Sequence, residues 1–235
     1  MKQLSVNMRK NEILLGLIYI VFHVFFLPLI IVTLNVLLPL SFTEAELNFI
    51  VFAINFICVT VIFHQYLLNS LKIFIHNVKG TFTAVFKGFA AYWIGSILVN
   101  ILVISLDPEF SNVNDNAIVA LTNQNYILMG IGTVILVPIV EETLYRGVIF
   151  GTLFRKNSFA AYVISIVAFS ALHVVGYIGH YSPIRLSLCF LQYIPAALFL
   201  AWSYVKADTI IAPIFIHMIV NLIGMLAMLQ GVHYA

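Results

Sequence analysis

Long unbroken apolar runs, with neither strict alternation nor a narrow apolar stripe, set the pattern of this chain. Seven of them reach the length of about 20 residues that a helix needs to cross the hydrocarbon core of a bilayer. They cover residues 13–38, 48–69, 84–106, 126–154, 158–177, 184–205 and 209–230. Runs this continuous argue against a β-barrel, whose strands alternate. The pattern therefore predicts an all-α fold, a polytopic transmembrane helix bundle of seven spans. An amphipathic piece at 71–79, with Lys72 and Lys79, lies in the interface or adds an eighth span. The stretch 107–125 is rich in Asn and Asp and reads as an external loop without chemistry. No period of 20–50 residues recurs. Residues 1–235 thus read as a single membrane domain, with N-terminal spans in 1–125 and the motif-bearing spans in 126–230.

Composition removes the soluble alternative. Of 235 residues, 63% are hydrophobic and 9% charged, and the mean hydropathy is +1.08. Soluble domains run at about 45–50% apolar and about 25% charged. The net charge of +2 is too small to suggest a nucleic-acid partner. Its distribution says more. Apart from Arg146, the basic residues Lys2, Arg9, Lys10, Lys72, Lys79, Lys87, Arg155, Lys156 and Lys206 fall at the N-terminus or in even-numbered loops, and Arg185 alone falls in an odd one. By the positive-inside rule the N-terminus is cytoplasmic. With seven spans the C-terminus is external, and an eighth would reverse it. The basic start is followed by an apolar run too long for a signal peptide, so the first segment is expected to stay as an anchor. Cys58 and Cys189 lie inside apolar runs and read as small buried residues without a disulfide.

Against this background a few polar residues stand out. Residues 138–146 read Pro-Ile-Val-Glu-Glu-Thr-Leu-Tyr-Arg, and a charge at bilayer depth costs about 2.5–3.5 kcal/mol even on lenient scales. On a helix, Glu142 and Arg146 are four apart, the spacing that sets opposite charges side by side. That leaves Glu141 about 100° round the helix, where a carboxylate in a low-dielectric site is a stronger proton acceptor than in water. Pro138 cannot donate to the carbonyl of Val134, which predicts a kink just above the pair. The bland reading is a helix end at the interface, where Glu, Tyr and Arg are common. Phe169-Ser-Ala-Leu-His173 lies deep in the next run. Counted at about 1.5 Å per residue from the shared turn near Arg155–Ser158, Glu141 is about 20 Å deep and His173 about 22 Å. An antiparallel hairpin brings them level. His217-Met-Ile-Val-Asn221 puts an imidazole and an amide on one face of the last span, with Pro213 expected to loosen the turn before it. Interhelical hydrogen bonding is the bland alternative for this pair. His23 and His64 read as interhelical or interfacial, His76 and His233 as exposed, and His180 as part of an external loop.

Glu-Glu-x-x-x-Arg, then Phe-x-x-x-His, then His-x-x-x-Asn, in that order on late spans, resembles the CPBP (CAAX protease and bacteriocin-processing, or Abi) intramembrane protease family, which includes the type II CAAX prenyl endopeptidases. The resemblance covers about residues 126–230; the first 120 residues carry no motif. It implies peptide-bond hydrolysis within the membrane of a membrane-associated or lipidated peptide or protein. Glu141 would be the general base on a water that His173 holds or polarises. His217 and Asn221 would donate to the oxyanion, with Glu142 and Arg146 as the supporting ion pair. Glu141, His173 and His217 are also acceptable zinc ligands, and the family has been described both as zinc-dependent and as metal-free. The lack of a His-Glu-x-x-His helix and the presence of Asn221 point to the version without a cofactor. A short, basic start suits a bacterial cell-membrane protein. The rival function is a non-catalytic membrane interaction or immunity protein, against which all six motif positions count. A proton-coupled transporter lacks the expected span repeat.

Overall fold

The computed structural model describes residues 4–38 and 40–229. Lys2, Gln230, His233 and the side on which the chain ends lie outside them. The described residues form nine helices. These are α1 (Lys10–Leu37), α2 (Glu44–Ile62), α3 (His64–His76), α4 (Val78–Leu106), α5 (Val113–Gln124), α6 (Tyr126–Phe154), α7 (Ser158–Val175), α8 (Pro183–Ala207) and α9 (Ile211–Leu229). All but α3 and α5 are long and apolar enough to cross a membrane, which makes seven spans. The protein is an integral membrane helix bundle. Short polar side chains in the connections start the helices. Thr43, Asn77, Asn112, Asn125, Asn157 and Ser182 each accept a backbone N–H of the first turn, groups that would otherwise lack a partner.

Three expectations change. The amphipathic piece is a helix over His64–His76, earlier than 71–79. At 13 residues it is too short to span. It is anchored by Tyr66, whose hydroxyl meets that of Tyr204 on α8 at 2.9 Å. The polar stretch 107–125 is mostly the helix α5, because Asn112 caps it and the Asn-rich sequence past the cap has a residue able to face inward at each turn. Pro213 sits in the first turn of α9, where its missing N–H costs no hydrogen bond, so the turn at His217 stays regular.

One face of the bundle gathers the N-terminal arm, α3 and the α8–α9 turn. Asp208 ends α8 in the left-handed conformation (φ 60°). Its carboxylate accepts the backbone N–H of Ser5 at 2.8 Å and also the Ser5 hydroxyl. Thr209 donates to the Ser70 carbonyl at 2.7 Å. Arg9, Lys10, Lys72 and Lys206, four of the basic residues that the positive-inside rule assigned to one compartment, lie in or beside these segments. The main core draws on both halves of the chain, from Met8, Tyr19 and Val59 to Leu144, Phe169, Tyr204 and Ile216.

Helices without a hydrophobic drive between them approach closely where side chains are small. On α4, Gly88 lies against Ile216 of α9 and Ser203 of α8, and Gly95 against Pro195 and Phe199 of α8. A Cβ at Gly88 would come within 2.8 Å of Ile216 and 3.0 Å of Ser203, whereas one at Gly130 meets nothing within 4 Å. Gly88→Leu is therefore expected to destabilise by about 1–3 kcal/mol through overpacking. In thermal unfolding of the detergent-solubilised protein its midpoint should fall, while Gly130→Ala should leave it unchanged or slightly raised.

Candidate active site

The helix that carries the two adjacent carboxylates is not a regular α-helix. Within α6, Gly132–Leu136 and Glu142–Phe150 are wound as π-helix, with a short α segment Val137–Glu141 between them. Such wide turns are uncommon and cluster at functional sites. The first has a visible cause. The Val137 N–H bonds back five residues to the Gly132 carbonyl. In that register the next donor would be residue 138, a proline without an N–H, so the Thr133 carbonyl loses its partner. The Asn221 side chain supplies one, with Nδ2 2.8 Å from that oxygen. The proline thus opens Thr133, one residue from the Val134 carbonyl expected in a regular helix, and an amide from α9 closes the gap. A second N–H on the same nitrogen remains for another acceptor.

Beyond Pro138, the two carboxylates meet different surroundings. Glu142 is fully buried, and its Oε1 accepts both from Arg146 Nη1 at 3.1 Å and from His217 Nδ1 at 2.9 Å. Arg146 is equally buried. Its guanidinium lies 3.9 Å over the Phe169 ring, and its Nη2 points at the Ala196 and Ala197 carbonyls of α8, both at 3.5 Å. Glu141 retains some exposure, 13% of its side chain. Its nearest polar neighbour is His217 Nε2, 4.0 Å from Oε2, and that oxygen has no hydrogen-bond partner. His217 therefore bonds to Glu142 through Nδ1 and faces Glu141 with Nε2 without bonding to it.

His173 is fixed from two sides. Its Nδ1 bonds to the Phe169 carbonyl at 2.9 Å; since a carbonyl can only accept, Nδ1 carries the proton and Nε2 of the neutral ring is an acceptor. The ring stacks on Tyr193 of α8, with centroids 4.0 Å apart and planes at 20°. Phe169 packs beside both imidazoles, 4.8 Å from His173 and 6.1 Å from His217, centroid to centroid. Glu141, His173, His217 and Asn221 all line one cavity of about 700 Å³. The structure thus brings the three motifs together around a single space.

No motif pointed to the cavity's other polar wall. Asn112 Nδ2 donates to Gln192 at 2.7 Å, Gln192 Nε2 to Asn100 at 2.9 Å, and Asn114 Nδ2 to the Tyr193 hydroxyl at 3.1 Å. That hydroxyl donates to Asp115 at 3.1 Å. The stretch 107–125, read as free of chemistry, thereby holds the residue against which His173 stacks. The only advance signal was Gln192-Tyr193 in the middle of an apolar run.

Both imidazoles bond through Nδ1, His217 to Glu142 and His173 to a carbonyl, which is also how a histidine that ligates a metal through Nε2 is held. Among the described residues no group of three His, Cys, Asp or Glu side chains is arranged to hold a metal ion.

Residues 123–223 match the family model described as type II CAAX prenyl endopeptidase Rce1-like. The match begins just before α6 and ends two residues after Asn221, so it takes in all three motifs and leaves out α1 to α4 and all but the last two residues of α5. Neither the curated proteins nor the solved structures contain a match to the chain.

Removing one partner of a buried pair strands the other charge at a cost of about 3–5 kcal/mol, whereas replacing both by apolar groups is often neutral. Glu142→Ala is expected to lower the thermal midpoint and the yield of folded protein sharply. The double change Glu142→Leu with Arg146→Met should recover most of that stability. If the double variant melts as low as the single one, the ion pair is not what holds α6 in place.

Proposed function

We propose, from the match of residues 123–223 to the type II CAAX prenyl endopeptidase Rce1-like family model, that the protein is an intramembrane endopeptidase whose general base is Glu141. The observation that carries this reading is the asymmetry of the two glutamates. Glu142 is engaged by an arginine and a histidine through Oε1 and is shut off from solvent, while Glu141 bonds to no described residue and keeps some exposure beside a cavity large enough for a peptide segment. A water there can donate one hydrogen to Glu141 and another to the acceptor nitrogen of His173. Glu141 takes its proton as the oxygen attacks the carbonyl carbon of the scissile bond. The C–N bond then breaks, and the leaving amine receives that proton from Glu141.

The oxyanion is assigned to His217 Nε2 and to the second N–H of Asn221 Nδ2. This requires both nitrogens of His217 to act as donors, with Glu142 as the counter-ion on Nδ1. Glu142 and Arg146 position His217 and do not touch substrate. The water is activated without a metal; support comes from the donor arrangement, since among the described residues no three His, Cys, Asp or Glu side chains are grouped to hold an ion. Substrates are membrane-associated or lipidated peptides, with a prenylated CAAX-type tail the first to try.

Glu141→Gln, nearly the same shape, is expected to reduce cleavage of a quenched fluorescent prenylated peptide by at least a thousandfold while melting and inserting like the parent. Full activity in that variant sinks the mechanism, and full complementation of a deletion phenotype by it favours a non-catalytic interaction protein. A chelator such as 1,10-phenanthroline should leave the parent rate unchanged; inhibition reversed by added zinc would return the reaction to metal chemistry. Peptides that accumulate in membranes carrying Glu141→Gln, read by mass spectrometry, name the natural substrate.

A further inference from the structure

The cavity is lined by more than the matched spans. His23 of α1 and Asn55 of α2 belong to its wall, and both helices lie outside residues 123–223. His23 sits in a π-helical turn, Phe22–Phe26, interrupting an otherwise regular span as the wide turns of α6 do. It is 8% exposed. Its Nε2 is buried without a hydrogen-bond partner, and neither ring nitrogen is bonded to another described residue. An interhelical hydrogen bond, the ordinary reason for a histidine at this depth, is therefore missing. A buried polar group left unmet costs about 1–3 kcal/mol.

Tyr19 ties this histidine to an amide. Its ring stacks on His23, with centroids 5.9 Å apart and planes at 12°. Its hydroxyl donates to Asn55 Oδ1 at 2.7 Å. With that oxygen occupied, what Asn55 has left for the cavity is its NH₂ group. The imidazole carries an N–H in either neutral tautomer. Two donors braced by one tyrosine make a site for an acceptor oxygen.

We propose that His23 and Asn55 form a second polar subsite of the cavity, binding an oxygen of the substrate peptide away from the scissile bond, either a backbone carbonyl or the terminal carboxylate. The inference rests on the peptidase reading and deepens it. The motif-bearing spans supply the chemistry, and the first two spans hold the chain being cut. Filling the unmet nitrogen by substrate contributes to binding before the transition state, so the effect belongs in KM rather than kcat.

The test uses the full chain in nanodiscs and the prenylated fluorescent peptide. His23→Phe keeps the stack on Tyr19 and removes the ring nitrogens; His23→Gln keeps a donor. His23→Phe should raise KM about tenfold with kcat within twofold, and His23→Gln should recover most of the loss. The same weakening should appear by fluorescence anisotropy in the Glu141→Gln background, where no chemistry intervenes. A peptide with an amidated C-terminus separates the two oxygen sources: the His23→Phe penalty vanishes with it if the carboxylate is bound and persists if a carbonyl is. Cleavage with a KM indifferent to His23 overturns the subsite and leaves the peptidase standing. Binding that depends on His23 without any cleavage does the reverse. A fall in kcat alone, or no binding of either peptide, also overturns the subsite.

Discussion

Glu142 is the residue on which the interior of this bundle depends. Its Oε1 accepts from Arg146 one turn along α6 and from His217 on α9. Arg146 in turn covers Phe169 of α7 and faces the carbonyls of α8. Four spans therefore converge on one carboxylate with no access to solvent. A buried ion pair is weak evidence for stability in itself, because desolvating two charges costs as much as their attraction returns. Its value here is geometric. A lone glutamate, arginine or histidine among these apolar helices would have to find water or a partner. The arrangement of α6, α7, α8 and α9 provides partners for all three.

That constraint also separates two carboxylates that are neighbours in sequence. Two adjacent glutamates cannot both remain ionised in a dry interior without cations enough for each. The single arginine is spent on Glu142, and His217 reaches Glu141 only at 4.0 Å. Glu141 is left beside the cavity with an unpaired oxygen. The widened turns of α6 belong to the same economy. A regular helix past Pro138 would have orphaned a carbonyl at membrane depth, where nothing but protein can satisfy it. The π turn shifts the orphan to Thr133, within reach of Asn221. In this way the third motif repairs the backbone of the first.

How much of this was legible in the sequence follows from the range of each interaction. The bilayer imposes a minimum run length, so seven spans could be counted. Glu142 and Arg146 are four apart on one helix, so their pairing could be read from local geometry. The depth count placed His173 near the level of Glu141 because those two spans share a short turn. Nothing in spacing could show that His217 bonds to Glu142, or Asn221 to Thr133, since α6 and α9 are distant in the chain. The π windings escaped for a related reason. A proline predicts that some backbone bond is lost, but which carbonyl is freed depends on a register that only the packed helix settles. Residues 107–125 were misread because Asn and Asp look like solvent-facing loop chemistry. Here Asn112 caps a helix and Asn114 reaches the hydroxyl of Tyr193.

The position of Tyr193 gives that misread stretch its physical meaning. An imidazole held only by a bond from Nδ1 to its own helix can still swing about its side-chain torsions. A ring stacked 4.0 Å away on another helix blocks that freedom. The blocking ring must itself be held, and its hydroxyl is gripped by Asn114 and Asp115 at the start of α5. α5 is too short to cross the membrane, yet it fixes a side chain of the cavity wall from outside the spans. In the proposed reaction a rigid acceptor at His173 would matter, because the attacking water must present its lone pair in one direction and a misplacement near 1 Å can cost about a hundredfold in rate. Around the motif residues the polar side chains thus form two connected sets, one that places the glutamates and one that places His173. The cavity between them is where the two sets meet.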